Sequence, residues 1–383
     1  MREGGSRVAV VGYYGHQNTG DDALAATVVG GISKRVPTAE FYVASSPLVM
    51  PPGVKVRWRR EIRVKIRGVP RVLDQWEKMH CGKLVLGGGS VIHDLFGGDR
   101  LRARLREFEL LKALGQSLGA MGIALGPLTT EAGRNTARKI LQLFDFVAVR
   151  DQLSVELAEE IGAPRPVLAF DPAVLLESTP LPDIGGDSYI DGALEFPVLG
   201  ISVCNFSQYV GRGPEADKRR LGKLVDALRR VRWGDHHLWL FEFNGNQTVG
   251  DRPLAEQLLS ALGDRVPCDI VPYHPNPWVT LQRIKRCDGM LAMRLHAAIF
   301  AYLARIPFVV LSYHQKCLGF AGIAGVPPEL VLDSEAFVPN ELTPLVDQLI
   351  RDELPRGPAL PVEEAQDLAE RNFLWFGEGQ QGD

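Results

Sequence analysis

Arg294 and His296 stand two residues apart where the chain is expected to change from strand to helix. The apolar stretch Gly289–Ala292 reads as a buried strand, and a helix is expected from His296 to Ala304. A helix N-terminus offers free N–H groups and the positive end of its dipole to an anion. Arg294 adds a fixed cation and His296 a titratable proton. The next strand, Phe308–Leu311, runs into Ser312-Tyr-His-Gln-Lys316, which can carry a second cation to the same place. A lone histidine is most often a core residue. Beside an arginine at a strand end, with a lysine one unit later, an anion site is the better reading. Arg150 follows another expected strand, Phe146–Val149. It can grip a carboxylate or phosphate bidentately; the alternative is a surface pairing of Arg150 and Asp151 with the following helix.

Two glycine-rich segments suggest a different chemistry. Gly15 and Gly20 have P-loop spacing, but Asp21 and Asp22 stand where Lys and Ser/Thr would be needed. Two carboxylates there would repel a phosphate. The segment therefore reads as a turn presenting Asn18 and Asp21 to hydroxyl groups, or as a helix start that Asp21 merely caps. Further on, Gly87-Gly88-Gly89 follows an expected strand, Lys83–Leu86. Gly88 and Gly89 let backbone lie close against a ligand. His93 and Asp94 beyond them form a candidate acid/base pair or a pair of hydroxyl ligands.

The elements that must position these residues alternate. Strands are expected at 7–11, Phe41–Ala44, Lys83–Leu86, Met121–Leu125 and Phe146–Val149. Helices are expected from Asp21 to Ile32, Leu101 to Leu118, 131 to 143 and Gln152 to Ile161. The pattern dissolves between Asp171 and Phe196, which reads as a linker, and a second alternating set follows. The expected architecture is α/β: two Rossmann-like, doubly wound domains. They are placed at 1–180 and 190–355, with a tail at 356–383, ending in Phe373, Trp375 and Phe376, that packs across them. Ligands of such sheets bind at the carboxyl ends of strands, and a cleft between the domains is the default site.

Composition narrows the classes. At 45% hydrophobic and 23% charged, 383 residues are globular. Forty glycines are an excess over the usual ~7%, and they cluster near residues 12–20, 87–98 and 319–325. A net charge of −3 speaks against a nucleic-acid partner. One run is basic: Lys55, Arg57, Arg59, Arg60, Arg63, Lys65, Arg67 and Arg71, with Glu61 the one acid among them. It reads as a solvated edge or, more sharply, as a peripheral contact with a membrane or an anionic acceptor. Five scattered cysteines give no metal-ligand spacing and suit a reducing cytosol. The apolar run Val8–Val11 is too short for a signal-peptide core, so a cytoplasmic location is expected.

The ordered set of motifs resembles the polysaccharide pyruvyl transferase family. It comprises Gly12-Tyr-Tyr-Gly…Asn18-Thr-Gly-Asp-Asp, Gly-Gly-Gly-Ser…Asp94, Val-Arg150-Asp151, Asp171-Pro172-Ala, Met-Arg294-Leu-His296-Ala and Ser-Tyr-His-Gln-Lys316. The resemblance covers about residues 8–325. His314-Gln315 stands before Lys316 where the family often has Asp-Pro, and Asp22 where it often has Glu. The resemblance implies a GT-B-like fold and transfer of pyruvate from phosphoenolpyruvate to a sugar, usually as a cyclic ketal on two hydroxyls. The donor is a phosphate and a carboxylate, which Arg150, Arg294 and Lys316 would hold. His296 would protonate its methylene carbon, and Asp21 or Asp94 would orient or deprotonate the hydroxyls. The acceptor would be a polysaccharide or its lipid-linked precursor. The scheme requires no cofactor and no metal. Competing readings are a GT-B glycosyltransferase that uses a nucleotide sugar and a non-catalytic carbohydrate-binding protein.

Overall fold

The structure, a computed structural model, describes residues 7–59, 69–95, 97–182, 185–209 and 213–377. The chain forms two compact units: Met1–Gly15, Asp21–Pro182 and Ala365–Asp383 in the first, His16–Gly20 and Asp183–Glu364 in the second.

The first unit is built on seven parallel strands: β1 (Arg7–Val11), β2 (Glu40–Val43), β3 (Lys55–Trp58), β4 (Lys83–Ile92), β5 (Ser117–Leu125), β6 (Phe146–Val149) and β7 (Val167–Leu168). Their order is β3-β2-β1-β4-β5-β6-β7. The second unit has six: β8 (Val198–Ser202), β9 (His237–Phe241), β10 (Cys268–Val271), β11 (Gly289–Ala292), β12 (Phe308–Ser312) and β13 (Val331–Asp333), in the order β10-β9-β8-β11-β12-β13. Both sheets grow outward from their first strand, then restart on its other side. The strand order therefore reverses between β1 and β4 and again between β8 and β11. Ligands of open α/β sheets bind at the carboxyl ends of such switch points. The central strands β8, β11 and β12 are buried at every residue, as parallel strands covered on both faces must be.

Several expectations shift. The helix expected to reach Leu118 ends at Ala113, because Gly115 adopts φ +82° and its N–H bonds back to the Lys112 carbonyl. The residues beyond it start β5. The glycines after Leu86 are not a loop. Strand β4 runs through them, with Gly87 opposite Met121 and Gly89 opposite Ile123. Gly88 sits at φ +83°, and a Cβ there would fall 2.8 Å from Leu24, so glycine lets the helix Thr19–Arg35 pack against the strand. The third glycine cluster lies mostly within the helix Gln315–Ala324, closed by Gly325 at φ +71°. Part of the basic run forms the edge strand β3, and Val69–Met79 is an additional helix. The linker is shorter than expected. Asp171 caps a 3₁₀ turn at Pro172–Leu176, and Asp187 caps Ser188–Asp191.

The tail, expected across both domains, is divided between the units: residues 356–364 belong to the second, where Leu360 N–H donates to the Ala324 carbonyl at 2.9 Å, and the described residues from Ala365 on belong to the first. Phe373 is fully buried, lying where a Cβ on Gly31 would be 2.2 Å from its ring. Asn372 Nδ2 donates to the Phe170 carbonyl at 2.9 Å, and Trp375 stacks on Phe146 with centroids 6.3 Å apart.

Candidate functional site

In the second unit the site grows from the ends of β8 and β11. Ser202, the last residue of β8, is fully buried, and its Oγ accepts from the backbone N–H of Met293 and of Arg294, each at 3.1 Å. This fixes the chain as it leaves β11. Arg294 then occupies the N-cap position of the helix Leu295–Leu303, which starts one residue earlier than expected. Its guanidinium pairs with Asp251, with Nε 3.3 Å from Oδ2 and Nη2 bonded to Oδ1. Asp251 is itself fully buried, and its Oδ2 also accepts from the Phe243 and Asn244 N–H groups at 3.1 and 3.0 Å. Burial opposes the charge of Arg294, but the adjacent Asp251 carboxylate overrides it and pushes the pKa up. Arg294 is thus a permanent cation held at the head of a helix.

Beyond β12, His314 caps the helix Gln315–Ala324, its Nδ1 accepting from the Lys316 N–H at 3.2 Å. The Lys316 ammonium lies 5.2 Å from the centroid of the Tyr313 ring. Burial pushes the Cys204 thiol up to about 11, while Arg294 and Lys316 pull it the other way. Burial likewise raises the Tyr313 phenol, with Arg294 opposing. Two cations and a helix terminus thus act on one locality, floored by a neutral thiol and a neutral phenol.

The segment His16–Gly20 belongs to this unit. Thr19 N–H donates to the Phe243 carbonyl at 2.9 Å, Gly245 N–H to the Gln17 carbonyl at 2.8 Å, and Asn18 bridges Asn244. A Cβ on Gly20 would fall 1.9 Å from His296 Nδ1, so the imidazole lies directly against the Gly20 backbone. Asn18, expected to face hydroxyls, spends its Oδ1 on the Gly20 N–H at 3.1 Å. The helix starts at Thr19, ahead of Asp21, so Asp21 occupies its first turn rather than its cap.

In the first unit, Asp21 lies by the glycines of β4: its Oδ1 is 3.8 Å from the Cβ position of Gly89. Tyr14, whose hydroxyl donates to the Gly87 carbonyl, is driven up first by burial and then by the Asp21 carboxylate. His93 follows β4 and is half-buried. Asp94 departs from the role expected of it. Its carboxylate accepts from Thr129 N and Oγ1 at 2.8 and 3.0 Å and from Thr130 N and Oγ1 at 2.9 and 2.8 Å. Burial opposes its charge, yet these bonds hold the carboxyl below its ordinary range. A carboxylate so occupied is a weak base and a strong clasp, here tying the end of β4 to the head of the helix Glu131–Leu143.

Arg150 is bound neither as an open cation nor to Asp151. Its Nη1 donates to Asp171 Oδ2 at 2.7 Å, with both side chains under 5% exposed, and Asp151 instead caps the helix Gln152–Glu160. A substrate anion would have to share Arg150 with this partner. Asp251 is the partner of Arg294 that the sequence does not announce; nothing in Val249-Gly250-Asp251 points to a residue 43 positions away. Among the described residues, no three His, Cys, Asp or Glu side chains gather to hold a metal ion.

A family model described as polysaccharide pyruvyl transferase matches residues 18–315. No curated protein matches the chain in sequence. Among solved structures, the chain is similar to the UDP-GlcNAc 2-epimerase from Methanocaldococcus jannaschii, with a TM-score of 0.59 at 8% identity, covering 97% of this chain and 99% of that one. It is similar to the UDP-GlcNAc 2-epimerase from Neisseria meningitidis bound to UDP-GlcNAc, with a TM-score of 0.56 at 11% identity, covering 96% and 99%. Sucrose-phosphate synthase from Thermosynechococcus elongatus gives a TM-score of 0.54 at 11% identity, covering 97% of each chain. At such identities the likeness is one of fold: two Rossmann-like α/β units of the GT-B kind, as the strand–helix alternation suggests.

Proposed function

The chain belongs to the polysaccharide pyruvyl transferase family, a family of transferases, and on that premise we propose that it takes pyruvate from phosphoenolpyruvate and closes it as a cyclic ketal on two hydroxyls of a saccharide. The observation that carries the reading is the cation set of the second unit: Arg294, locked by Asp251 at a helix N-terminus, with Lys316 on the next helix. Phosphoenolpyruvate presents a phosphate and a carboxylate, and two fixed cations plus helix N–H groups match that charge.

His296, set against Gly20, delivers a proton to the methylene carbon, which becomes a methyl group. The central carbon takes on oxocarbenium character and one sugar hydroxyl adds to it. The C–O bond to phosphate then breaks, and the second hydroxyl closes the ring. Of the two hydroxyl protons, one restores the acid and the other leaves with phosphate. Asp21, beside Gly89, is the carboxylate assigned to the hydroxyls, with Asn18 and His93 in supporting roles. Asp94 and Arg150 brace the strand ends. The acceptor is a polysaccharide or its lipid-linked precursor, and the enzyme works in the cytoplasm.

The test is phosphate release from phosphoenolpyruvate with a panel of saccharide acceptors, and mass spectrometry of the product. We expect a product carrying a pyruvyl ketal, and a folded but inactive His296→Ala variant. Thermal stabilisation by UDP or GDP sugars, with none by phosphoenolpyruvate, would put the nucleotide-sugar glycosyltransferase reading in its place.

A further inference from the structure

The helix Val69–Met79 is inside out. Its sequence, Val-Pro-Arg-Val-Leu-Asp-Gln-Trp-Glu-Lys-Met, is amphipathic, but the polar side is the one turned inward. The Asp74 side chain is 12% exposed and takes Arg59 Nη2 at 2.8 Å, together with the Tyr42 hydroxyl. The Lys78 side chain is 9% exposed and reaches Glu107 at 2.8 Å. The apolar residues face out: Val72 is 67% exposed, Trp76 51% and Met79 39%. At ~100° per residue these three fall within about 60° of one another, with Asp74 and Lys78 on the far side. A helix on a globular domain ordinarily turns its apolar stripe to the core. A solvent-facing stripe marks a docking surface.

Two features choose the occupant. Three partly exposed side chains fall far short of the ~800 Å² per partner that a stable protein–protein contact buries. A bilayer interface needs no such area; a shallow apolar stripe carrying a tryptophan suits it. Trp76 is also steadied for the task, its ring 4.0 Å from that of His80. The second feature is charge. Residues 55–71 carry eight Lys and Arg against a single Glu, in a chain whose net charge is −3. Of these, Lys55 and Arg57 are exposed on β3, Arg59 is engaged by Asp74, and residues 60–68 lie outside the described structure. The acids of the helix do not oppose the attraction from its outer face, since Asp74 is paired and Glu77 lies off the stripe.

We propose that Val72, Trp76 and Met79 form a shallow anchor by which the first unit lies on an anionic lipid surface. No helix among the described residues is long and apolar enough to cross a membrane, so the contact is interfacial. This inference is independent of the pyruvyl-transfer reading.

The experiment is co-sedimentation of the full chain with vesicles of phosphatidylcholine alone and of phosphatidylcholine with phosphatidylglycerol. We expect binding to the anionic vesicles, weak binding to the neutral ones, and loss of binding as salt is raised. Trp76→Glu with Met79→Glu should lower the partition coefficient by about tenfold or more at an unchanged melting temperature. Equal binding by the double variant, or no preference for anionic vesicles, would overturn the proposal. So would a concentration-dependent dimer, lost in the double variant, in protein that ignores vesicles; that result would assign the stripe to a second copy of the chain.

Discussion

Removing the charge of Asp251 should unlock Arg294. In Asp251→Asn the shape is kept, and the amide oxygen can still accept from the Phe243 and Asn244 N–H groups. The amide nitrogen would then face the guanidinium, donor against donor, and leave a buried cation uncompensated. Breaking a buried ion pair from one side costs about 3–5 kcal/mol. For a unit of this size that is a fall in melting temperature of about 6–20 °C. The pair itself is worth much less than this, because its attraction largely offsets the cost of burying both charges. Replacing Arg294 by Met in the same chain removes the orphaned cation. Asp251→Asn with Arg294→Met should therefore recover about 2–3 kcal/mol relative to the sum of the single losses. Thermal denaturation of the four proteins of the cycle, followed by circular dichroism, reads the coupling directly. Additive losses would refute the reasoning, since they would mean that Arg294 does not depend on Asp251. If phosphoenolpyruvate stabilises the wild type, as the proposed function expects, both single variants should lose that stabilisation, which separates a positioning role from a purely structural one.

Three further outcomes follow from other contacts. Gly20→Ala puts a methyl group where His296 Nδ1 now lies, 1.9 Å away, so the imidazole must move; kcat should fall by about 10²-fold or more with the chain still folded, as steady-state phosphate release would show. Asp94→Asn should cost about 1–3 kcal/mol at pH 7. The folded carboxyl lies below its unfolded value, so its contribution is complete above the ordinary carboxylate range and is lost as pH falls through the folded value; urea titrations at pH 7 and pH 3 should find a larger deficit in the variant at the higher pH. Phe373→Ala should cost about 3–5 kcal/mol, measured by urea denaturation, because its ring is fully buried against Gly31.

The features legible in the sequence are those set by local pattern. β6 falls where it is expected, because a covered parallel strand must be a short apolar run with a sharp end. Arg294 and Lys316 stand out in the sequence because each follows an expected strand, and both lie past strand ends, at the heads of the helices Leu295–Leu303 and Gln315–Ala324. What escaped is non-local. Asp94 reads as a base until Thr129 and Thr130, 35 and 36 residues on, are seen to occupy it. Arg150 reads as an open cation until Asp171, 21 residues on, closes over it. Strand β3 was missed for a different reason: Lys55 and Arg57 alternate with Val56 and Trp58, the pattern of a half-exposed edge rather than a buried run. The glycines of β4 look like a loop because glycine is scarce in strands. Here they keep strand pairing while making room for Leu24.

Each unit reverses its strand order once, and the two reversals carry opposite charge. Beside β4 lie the carboxylates of Asp21, in the first turn of the helix that follows β1, and of Asp94; past the ends of β11 and β12 lie Arg294 and Lys316. The same backbone device thus carries side chains of opposite charge, and the difference lies in which residues follow the strands. A carboxylate in the first turn of the helix Thr19–Arg35 takes up the positive end of the dipole and repels an incoming phosphate. An arginine at the head of the helix Leu295–Leu303 adds to that end and can stay there only because Asp251 neutralises it from beneath. The cation needs a buried counter-charge, and Asp251, fully buried, supplies it beneath an Arg294 side chain that is itself 15% exposed. That requirement also explains the tight turn before Asp251: a Cβ on Gly250 would fall 2.2 Å from the Asn246 carbonyl oxygen. Glycine at position 250 lets the chain double back from β9 and set the carboxylate under Arg294.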